Sequence, residues 1–449
     1  MLVAAPFADR VSALGTENAF KIGPWIREVE ARGKRVIRCN LGEPDFPLPK
    51  HIADEVKRAI DLDQTHYVDP QGIEPLRAAI AKNAGEARGI RITPDRVVVF
   101  PGAKPPIGFA EQVYCNPGDE VIYPSPGFPI YESFTSYLGA RPVPMHFRDE
   151  CTARDLAPLI SDRTRLIFLN FPSNPTGGVA TREQLEEFAS VIRKCDARVY
   201  SDEVYERIIF GGAQHHSIAS IRGMEERTII VSGVSKTYAW TGGRVGWAIL
   251  PTAEEAAVFR NLNINYFSCV PAYNQLGAKL AIESPESERE IRRMVDEFER
   301  RRDFIVPALN AIDGITCRLP RGAFYVFPNI AGVCERLGTR DPFASTLFQM
   351  FLLFEYGVAT LDRKSFGVAG AEGKHFLRLS IATSFDDLRE AVARIEAAAN
   401  DRAGFERFVA ERGTSPAASR HPLPRERALP PSSSGEGGPT GRVRGRRSR

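Results

Sequence analysis

Apolar segments and amphipathic stretches alternate through the middle of this 449-residue chain. Between about residues 51 and 310, short apolar runs that predict strands are separated by segments with the spacing of helices. The predicted strands are at 96–100, 120–123, 166–169, 198–201, 228–231 and 245–250, and the predicted helices between them are at 105–114, 181–194 and 253–261. This order constrains the fold to the α/β class, in which a mainly parallel sheet is covered by helices on both faces.

The chain divides into four predicted regions. Residues 1–47 are an N-terminal arm and part of a small domain, residues 48–310 a large α/β domain, and residues 311–410 a small α+β domain. For the small domain, and the long helix that leads into it, the expected helices are at 286–312, 343–355 and 386–399, and the expected strands at 314–319, 322–327 and 376–381. Residues 411–449 are rich in Pro, Ser, Gly and Arg, so they cannot bury a core and are predicted to be disordered.

Composition excludes several classes of protein. No run approaches the roughly 20 apolar residues that span a bilayer, so we expect no membrane partner. The seven cysteines are scattered and never form a Cys-x-x-Cys pair, and the histidines lack metal-ligand spacing. This pattern argues against disulfides and metal sites and fits a reducing cytoplasm. The arginine-rich tail could attach to nucleic acid or be merely solvated; the rest of the chain is mildly acidic, and we expect no nucleic-acid partner.

One short segment carries a lysine and an arginine with distinct chemistry. Ser235 and Lys236 follow the predicted strand at 228–231, and Arg244 lies in the loop beyond them. A lysine sheltered from water loses part of its preference for the charged form, so its amine can attack a carbonyl. An arginine stays protonated and grips a phosphate through two parallel hydrogen bonds. Together they suit a cofactor with both an aldehyde and a phosphate, which is pyridoxal phosphate.

Two loops add groups that suit the same cofactor. Gly102, Ala103 and Lys104 lie between a predicted strand and a predicted helix, where backbone N–H groups form an anion site. A plain turn explains that segment equally well. Asn174, in an Asn-Pro-Thr-Gly sequence, presents an amide that can donate to a phenolate oxygen, although this motif is also an ordinary turn.

Acidic and aromatic residues follow two further strands. Asp202 directly follows the strand at 198–201, where a carboxylate can keep a pyridine nitrogen protonated, and Tyr205 lies three residues on. Helix capping is the alternative role for Asp202. Phe128, after the strand at 120–123, can stack on an aromatic ring or simply belong to the core.

Arg378 stands alone among the apolar residues of the predicted strand at 376–381. A cation on a half-buried strand needs an anion, and a substrate α-carboxylate would fit its bidentate fork. A structural salt bridge is the alternative.

These motifs occur together and in one order. The set comprises Gly-Glu-Pro-Asp-Phe, Gly-Ala-Lys, Asn-Pro-Thr-Gly, Ser-Asp-Glu-Val-Tyr, Ser-Lys-Thr-Tyr and Gly-Ala-Phe-Tyr-Val-Phe-Pro. As a set, they resemble the aspartate aminotransferase superfamily, the class I/II pyridoxal-phosphate enzymes of fold type I, from about residue 15 to residue 398. The resemblance implies a large domain with a seven-stranded, mainly parallel sheet sandwiched by helices, and a smaller α+β domain.

The resemblance also implies roles for individual residues. The implied catalytic residues are Lys236, which would hold the cofactor as an aldimine, Asp202, which would face the pyridine nitrogen, and Tyr205. Arg378 would bind the substrate α-carboxylate together with Gly42 and Asn174. The implied cofactor contacts are Gly102, Ala103, Lys104, Phe128, Asn174, Asp202, Tyr205, Ser235, Lys236, Arg244 and Tyr67. Because Tyr67 matches the tyrosine that reaches the phosphate of the neighbouring subunit, a homodimer with shared active sites is implied.

Three positions depart from the family pattern. Gly243 stands where a tryptophan commonly precedes the phosphate-binding arginine, Phe128 where tryptophan or tyrosine is common, and Pro106 follows Pro105 at the phosphate helix. None of these changes removes a chemical group that the reaction needs. Gly243 is expected to alter the shape of the pocket.

The implied activity is an aminotransferase that moves an amino group between an L-amino acid and a 2-oxo acid. Lys104 could pair with a distal carboxylate, which favours an aspartate- or glutamate-like donor, or it could be a structural partner at the phosphate helix. A lyase of the same fold, which eliminates a β-substituent or cleaves carbon–sulfur bonds, is the alternative that the cofactor motifs leave open. A non-catalytic binding protein is disfavoured, because Lys236 and Asp202 are both present.

Overall fold

The structure is a computed structural model that describes residues 7–15, 17–147 and 151–412. From residue 413 onward, the predicted tail lies outside the described residues. The strands are β1 (Ile37–Arg38), β2 (Val97–Phe100), β3 (Glu120–Ser125), β4 (Arg141–His146), β5 (Thr164–Asn170), β6 (Arg198–Asp202), β7 (Thr228–Gly233), β8 (Gly246–Ile249), β9 (Tyr325–Val326), β10 (Val358–Ala359), β11 (Leu361–Asp362) and β12 (Leu377–Ser380).

Helices account for about half of the remaining described residues. They are α1 (Asn18–Lys21), α2 (Gly23–Ala31), α3 (Lys50–Asp61), α4 (Glu74–Arg88), α5 (Pro105–Tyr114), α6 (Ile130–Tyr137), α7 (Ala153–Leu156), α8 (Arg182–Ile192), α9 (Val234–Thr237), α10 (Ala253–Phe267), α11 (Ala272–Glu283), α12 (Pro285–Asn310), α13 (Ala331–Arg336), α14 (Ala344–Tyr356), α15 (Phe385–Asn400) and α16 (Arg402–Arg412).

A seven-stranded sheet forms the centre of the larger part of the molecule. Its strand order is β2-β8-β7-β6-β5-β3-β4, and only β8 runs antiparallel to its neighbours. Every residue of β2, β3, β7 and β8 is buried, as expected of strands covered on both faces. The predicted α/β fold with a mainly parallel seven-stranded sheet is therefore confirmed.

Local sequence signals explain where several helices begin. Helix α5 starts at Pro105 and Pro106, whose missing N–H groups cost nothing in a first helical turn. Helix α8 begins with a reciprocal capping box, in which the Thr181 Oγ1 accepts from Gln184 N at 3.2 Å and Gln184 Oε1 accepts from Thr181 N at 2.8 Å. These starts fix the helices directly behind the loops that follow β2 and β5.

Strand β4 was missed by the sequence pattern. It contains Pro142 and Pro144. Proline argues against a central strand, because it has no N–H to donate to a neighbouring strand. In the structure β4 pairs only with β3, at the edge of the sheet, where this loss is tolerated.

A smaller group of elements surrounds a three-stranded antiparallel sheet in the order β11-β12-β9. Helices α2, α14, α15 and α16 contribute to the same buried apolar cluster as this sheet. Strand β12 carries Arg378 and ends at Ser380, whose N–H bonds to the carbonyl of Cys39 in the N-terminal segment. The N-terminal residues thus pack with the C-terminal part of the chain.

The strand predicted at 314–319 is wrong. Only Thr316 makes a bridge there, to Asn329, and the next residue is bonded by a side chain instead. Asn310 donates from Nδ2 to Cys317 O at 2.9 Å and accepts from Cys317 N at 2.7 Å. Because one amide satisfies both backbone groups of Cys317, this segment needs no strand partner. The strand predicted at 322–327 shortens to β9.

Two observations bear on the classes excluded from composition. Within the described residues, no helix has the length and apolar character to cross a bilayer. All seven cysteines are free thiols.

Candidate active site

A cavity of about 520 Å³ opens at the carboxyl ends of the central strands. Ligands of open parallel sheets bind at this edge, because successive strand ends bring their loops together there. Of the thirteen residues predicted for the site, eleven line this cavity: Gly42, Ala103, Lys104, Phe128, Asn174, Asp202, Tyr205, Ser235, Lys236, Arg244 and Arg378. Gly102 lies directly behind it, against Arg244.

Tyr67 is the predicted site residue that lies away from the cavity in the single chain. Its side chain is 87% exposed and does not line the cavity. The structure of one chain therefore does not test its predicted contact with a neighbouring subunit.

Lys236 lies on the one-turn helix α9, immediately after β7. Its amine donates to the carbonyl of Gly42 and is 5.9 Å from the centre of the Phe324 ring. Burial lowers the pKa of Lys236 to about 8, and this effect outweighs the opposing influence of Glu17 and Glu43. A substantial fraction of this amine is therefore neutral, and hence nucleophilic, near neutral pH.

Arg244 and the loop after β2 form a compact anion-binding corner. Arg244 adopts a left-handed backbone conformation with φ of 51°, and it donates to Thr241 O at 2.8 Å and to Pro101 O at 3.1 Å. A Cβ on Gly102 would lie 2.1 Å from Arg244 Nη2, and a Cβ on Gly246 would lie 2.4 Å from Ala103 N. Only glycine allows this close approach, which brings the guanidinium to the start of α5.

Asp202 is the last residue of β6, and its carboxylate is fully buried. Its Oδ2 accepts from Tyr131 Oη at 2.6 Å, and Asn170 Nδ2 donates to its backbone carbonyl at 3.0 Å. Burial raises the pKa of Asp202 to about 6, against the hydrogen bond from Tyr131, which lowers it. No α-helix begins directly after Asp202, so the alternative role of helix capping is wrong.

Two tyrosines meet beside Lys236. The hydroxyls of Tyr205 and Tyr325 are 2.7 Å apart, and both side chains are buried. A Cβ on Gly42 would lie 2.2 Å from Tyr325 Oη, so a glycine at position 42 leaves the room that this hydroxyl occupies. Tyr205 can therefore share a proton with Tyr325 at the edge of the cavity.

Arg378 is a buried cation that forms no ion pair with any described residue. Its Nη1 donates to Asn174 Oδ1 at 3.0 Å, its Nη2 donates to Asn40 O at 2.6 Å, and its Nε is buried without a partner. Burial lowers the pKa of Arg378. The structural salt bridge considered from the sequence is absent here, and the orphaned Nε leaves an anion as the missing partner.

Lys104 also lines the cavity, where it forms an ion pair with Glu17. Its ammonium is also 5.7 Å from the centre of the Phe128 ring. Phe128 itself packs edge-on against Tyr131, with ring centres 5.7 Å apart. A substrate carboxylate that binds Lys104 would therefore have to compete with Glu17 for this ion pair.

A second buried cluster lies just behind Asp202. Arg88 donates to Glu203 Oε2 at 2.6 Å and also binds Glu206, while His215 Nε2 is 2.8 Å from Glu203 Oε2. Burial would raise the pKa of Glu203, but the charges of Arg88 and His215 hold it below the usual range. Glu203, Glu206 and His215 are close enough to share a metal ion, yet Arg88 already forms ion pairs with both carboxylates.

The glycine at position 243 is accommodated outside the cavity. A Cβ on Gly243 would lie 2.2 Å from Cε2 of the Trp240 indole, and a Cβ on Gly277 would lie 2.9 Å from its Cη2. The indole of Trp240 therefore fills the space beside residue 243. Neither Gly243 nor Trp240 lines the cavity, and the expected effect of Gly243 on pocket shape stays a prediction.

Sequence reasoning missed Tyr131, Asn170 and Glu17, which all contact predicted site residues. Tyr131 donates to the carboxylate of Asp202. Asn170 Oδ1 accepts from Asn174 N at 2.8 Å. Asn170 directly follows the strand predicted at 166–169, and that position is a usable signal. Glu17 and Tyr131 carry no local pattern that links them to residues far along the chain.

Comparisons with known proteins agree with this fold and cavity. The family model described as aminotransferase class I and II matches residues 34–395. The chain is 35% identical over 376 residues to an aspartate aminotransferase of Pyrococcus abyssi, covering 82% of this chain and 93% of that protein. It is 33% identical over 396 residues to aromatic-amino-acid aminotransferase 2 of Thermococcus litoralis, covering 87% and 97% respectively.

A solved structure is similar over almost its whole length. The aspartate aminotransferase of Rhizobium meliloti superimposes with a TM-score of 0.81 at 33% identity, covering 88% of this chain and 99% of that one. The fold and cavity define a class of α/β transferases. The chain belongs to the aminotransferase class I and II family, and its predicted activity as an aminotransferase is confirmed at the level of this family.

Proposed function

We propose that the cavity binds pyridoxal phosphate and transfers an amino group from an aspartate- or glutamate-like amino acid to a 2-oxo acid. The observation that carries the proposal is a pair of cations on the cavity lining, the partly buried Lys236 and the buried Arg378, neither of which forms an ion pair with a described residue. One has a lowered pKa and suits an aldehyde, and the other has an orphaned Nε and suits a carboxylate.

The residues of the cavity fit this cofactor. Lys236 would hold its aldehyde, Arg244 with Ser235 and the Ala103 and Lys104 N–H groups its phosphate, and the glycines at 102 and 246 leave space for the close approach. When bound, pyridoxal phosphate supplies an electron-withdrawing ring, which makes the hydrogen on the substrate α-carbon more acidic. Every other step rests on side chains of this chain.

Asp202 would hold a proton at the pyridine nitrogen. Its pKa of about 6 is set mainly by burial, so the cationic ring would favour its ionised form. Tyr205 and Asn174 lie beside Asp202 around the cavity and would orient the ring through its hydroxyl. Phe128 offers a face for the ring to stack on.

Lys236 acts as the general base. Its lowered pKa leaves a neutral amine that can take the proton from the substrate α-carbon. Arg378 orients the substrate by binding its α-carboxylate, and Asn174 Oδ1 fixes the guanidinium in place.

The choice of donor depends on Lys104. The distal carboxylate of a substrate would replace Glu17 at Lys104. Glu17 therefore opposes the binding of dicarboxylic donors, and the strength of its ion pair with Lys104 sets how strongly they are preferred. The names of the similar proteins from Pyrococcus abyssi and Rhizobium meliloti support an aspartate-like donor. A lyase is not favoured, because the relatives that cover nearly the whole chain are named as aminotransferases.

A homodimer completes the proposed site. Tyr67 is exposed and lies off the cavity, which is the position required of a residue that serves a second subunit. Mixing Lys236→Ala chains with Tyr67→Ala chains tests this arrangement, since a hybrid dimer would contain one intact site. We expect activity to recover on mixing and the protein to sediment as a dimer; two separately inactive variants that stay inactive in a demonstrated hybrid dimer would contradict shared sites.

Cofactor binding is tested by the visible absorbance of the purified protein with added pyridoxal phosphate. We expect an absorbance band that Lys236→Ala removes and that the exposed control Lys57→Ala retains. A band that survives in Lys236→Ala, or no band in the unaltered protein, would refute the assignment of this lysine.

A further inference from the structure

A second cavity lies between the seven-stranded sheet and the three-stranded sheet. Its volume is about 780 Å³, and it shares no lining residue with the candidate active site. The seven-stranded part contributes Pro126, His146, Phe147 and Thr176 to its lining. The residues around the three-stranded sheet contribute Phe327, Arg363, Lys374, His375 and Phe376.

Arg363 is a buried cation on the lining of this cavity, and it is 1% exposed. Its guanidinium donates to neutral acceptors, the carbonyl of Gly367 at 3.0 Å and Ser125 Oγ at 2.9 Å, and it forms no ion pair with a described residue. Burial lowers the pKa of Arg363 to about 10. Burying a charge without a counter-ion is costly, so this position is suited to an added anion.

Further basic groups face the same space, among them Lys374, His146 and His375. Lys374 forms no ion pair with a described residue, and burial together with the charge of Arg363 lowers its pKa. Burial, Lys374 and Arg363 lower the pKa of His146, and the Nδ1 of His375 is buried without a hydrogen-bond partner. The charge of Arg363 thus lowers the pKa of both Lys374 and His146, as expected of cationic groups that lie close together.

The carboxylates near this cluster are engaged elsewhere. Asp155 lines the cavity but accepts from Thr152 N at 2.9 Å and Thr152 Oγ1 at 2.7 Å at the start of α7. Asp362 and Glu132 raise the pKa of Arg363 without forming an ion pair with it; Asp362 accepts from Ser365 N at 3.0 Å and Glu132 from Val368 N at 3.3 Å. Asp341 and Glu335 act on His375 from outside the lining.

We propose that this cavity is a second ligand site, which binds a small anionic metabolite through its phosphate or carboxylate groups. Arg363 and Lys374 supply the charge, and the His146 and His375 rings supply further donors. Phe327 and Phe376 stack with ring centres 5.0 Å apart on the lining and give an apolar part of the ligand a surface to cover.

The position of the site connects it to both parts of the molecule. His146 ends β4 of the seven-stranded sheet, whereas Lys374 and His375 lead into β12. A bound anion would therefore join the two sheets through ion pairs, and this should raise the thermal stability of the protein by mass action.

The test measures binding in the purified cofactor-loaded protein, so that it does not depend on activity. Inorganic phosphate and citrate are titrated by calorimetry at constant ionic strength, and the melting temperature is followed in parallel. We expect at least one of the two to bind and to raise the melting temperature; the better ligand identifies phosphate or carboxylate as the natural group. The double variant Lys374→Gln/His146→Gln should bind about tenfold or more weakly, as loss of a charge-assisted hydrogen bond predicts.

Two controls locate the bound anion. Lys82→Gln removes one exposed lysine outside the cavity and should leave the affinity unchanged. Arg378→Lys alters the candidate active site and should also leave it unchanged. Binding that is lost in Arg378→Lys, or is unaffected in the Lys374→Gln/His146→Gln variant, would overturn the proposal, as would the absence of any binding by either anion.

Discussion

Tyr131 donates a hydrogen bond of 2.6 Å to Asp202 Oδ2, across 71 residues of sequence. The tyrosine is held in place by stacking on Phe168, with ring centres 4.4 Å apart. Burial raises the pKa of Asp202 to about 6, and this hydrogen bond is the largest contribution in the opposite direction. Tyr131 is therefore the main residue that favours the ionised carboxylate.

Replacing Tyr131 by Phe should weaken cofactor binding. Without the hydrogen bond the pKa of Asp202 rises further, so less of the carboxylate is ionised near neutral pH. We expect the dissociation constant for pyridoxal phosphate to increase by roughly tenfold, since hydrogen bonds to charged groups contribute about 1.5–3 kcal/mol. The increase should be larger at lower pH.

Spectroscopic titration at several pH values measures this effect. Tyr200→Phe is the matched control, because the buried Tyr200 hydroxyl has no hydrogen-bond partner and its ring also packs on Phe168. Equal losses of affinity in the two variants would show that the Tyr131 hydroxyl has no special role.

Asp202→Asn should change how the stability of the cofactor-free protein depends on pH. Because the folded state raises the pKa of Asp202, it holds the proton more tightly than the unfolded chain does. The contribution of Asp202 to stability therefore falls by about 2–3 kcal/mol as pH rises from about 4 to about 6, and it stays at the lower value above that range. The asparagine variant should lack this loss. Urea unfolding over this range checks it, and parallel curves for the two proteins would be inconsistent with a buried carboxylate of raised pKa.

Glu17→Gln should strengthen the preference for dicarboxylic donors. Removing the carboxylate frees Lys104 to pair with a substrate, so KM for aspartate should fall several-fold while KM for phenylalanine changes little. Both Glu17 and Glu43 raise the pKa of Lys236, but Glu43 bonds to Thr241 instead of Lys104. Glu43→Gln therefore controls for the electrostatic effect on the base, and an equal change of KM in both variants would contradict the role of the Glu17–Lys104 pair.

Arg378→Lys should raise KM for every amino-acid donor by about tenfold or more, because lysine cannot provide the bidentate fork. The affinity for pyridoxal phosphate should remain close to that of the unaltered protein, since Arg378 is assigned to the substrate. Steady-state kinetics and absorbance titration separate these quantities. An unchanged KM, or a loss of cofactor instead of substrate affinity, would place the α-carboxylate elsewhere.

The fold was predictable where a strand or helix is marked by its own sequence, such as an apolar run or a residue that starts a helix. Helix α5 matches its predicted bounds at 105–114, because two prolines fix its start. Prolines also hid strand β4, whose edge position depends on the whole sheet and not on its own residues. The strand expected at 314–319 failed because the distant amide of Asn310 satisfies Cys317.

The candidate site was predictable where functional side chains follow strands. Asp202 and Lys236 lie directly after apolar runs, which placed them at one edge of the sheet from sequence alone. Tyr131 and Glu17 are brought to the site by packing between separate segments, which no local pattern encodes. Their contacts with Asp202 and Lys104 therefore required the structure.

The most direct test of the proposed reaction follows nitrogen from donor to acceptor. The cofactor-loaded protein is given ¹⁵N-labelled aspartate and 2-oxoglutarate, and the products are identified by mass spectrometry. The account predicts ¹⁵N-labelled glutamate together with oxaloacetate, at a rate that Lys236→Ala abolishes and Lys57→Ala preserves. Release of labelled ammonia without labelled glutamate, or equal transfer by Lys236→Ala, would contradict it.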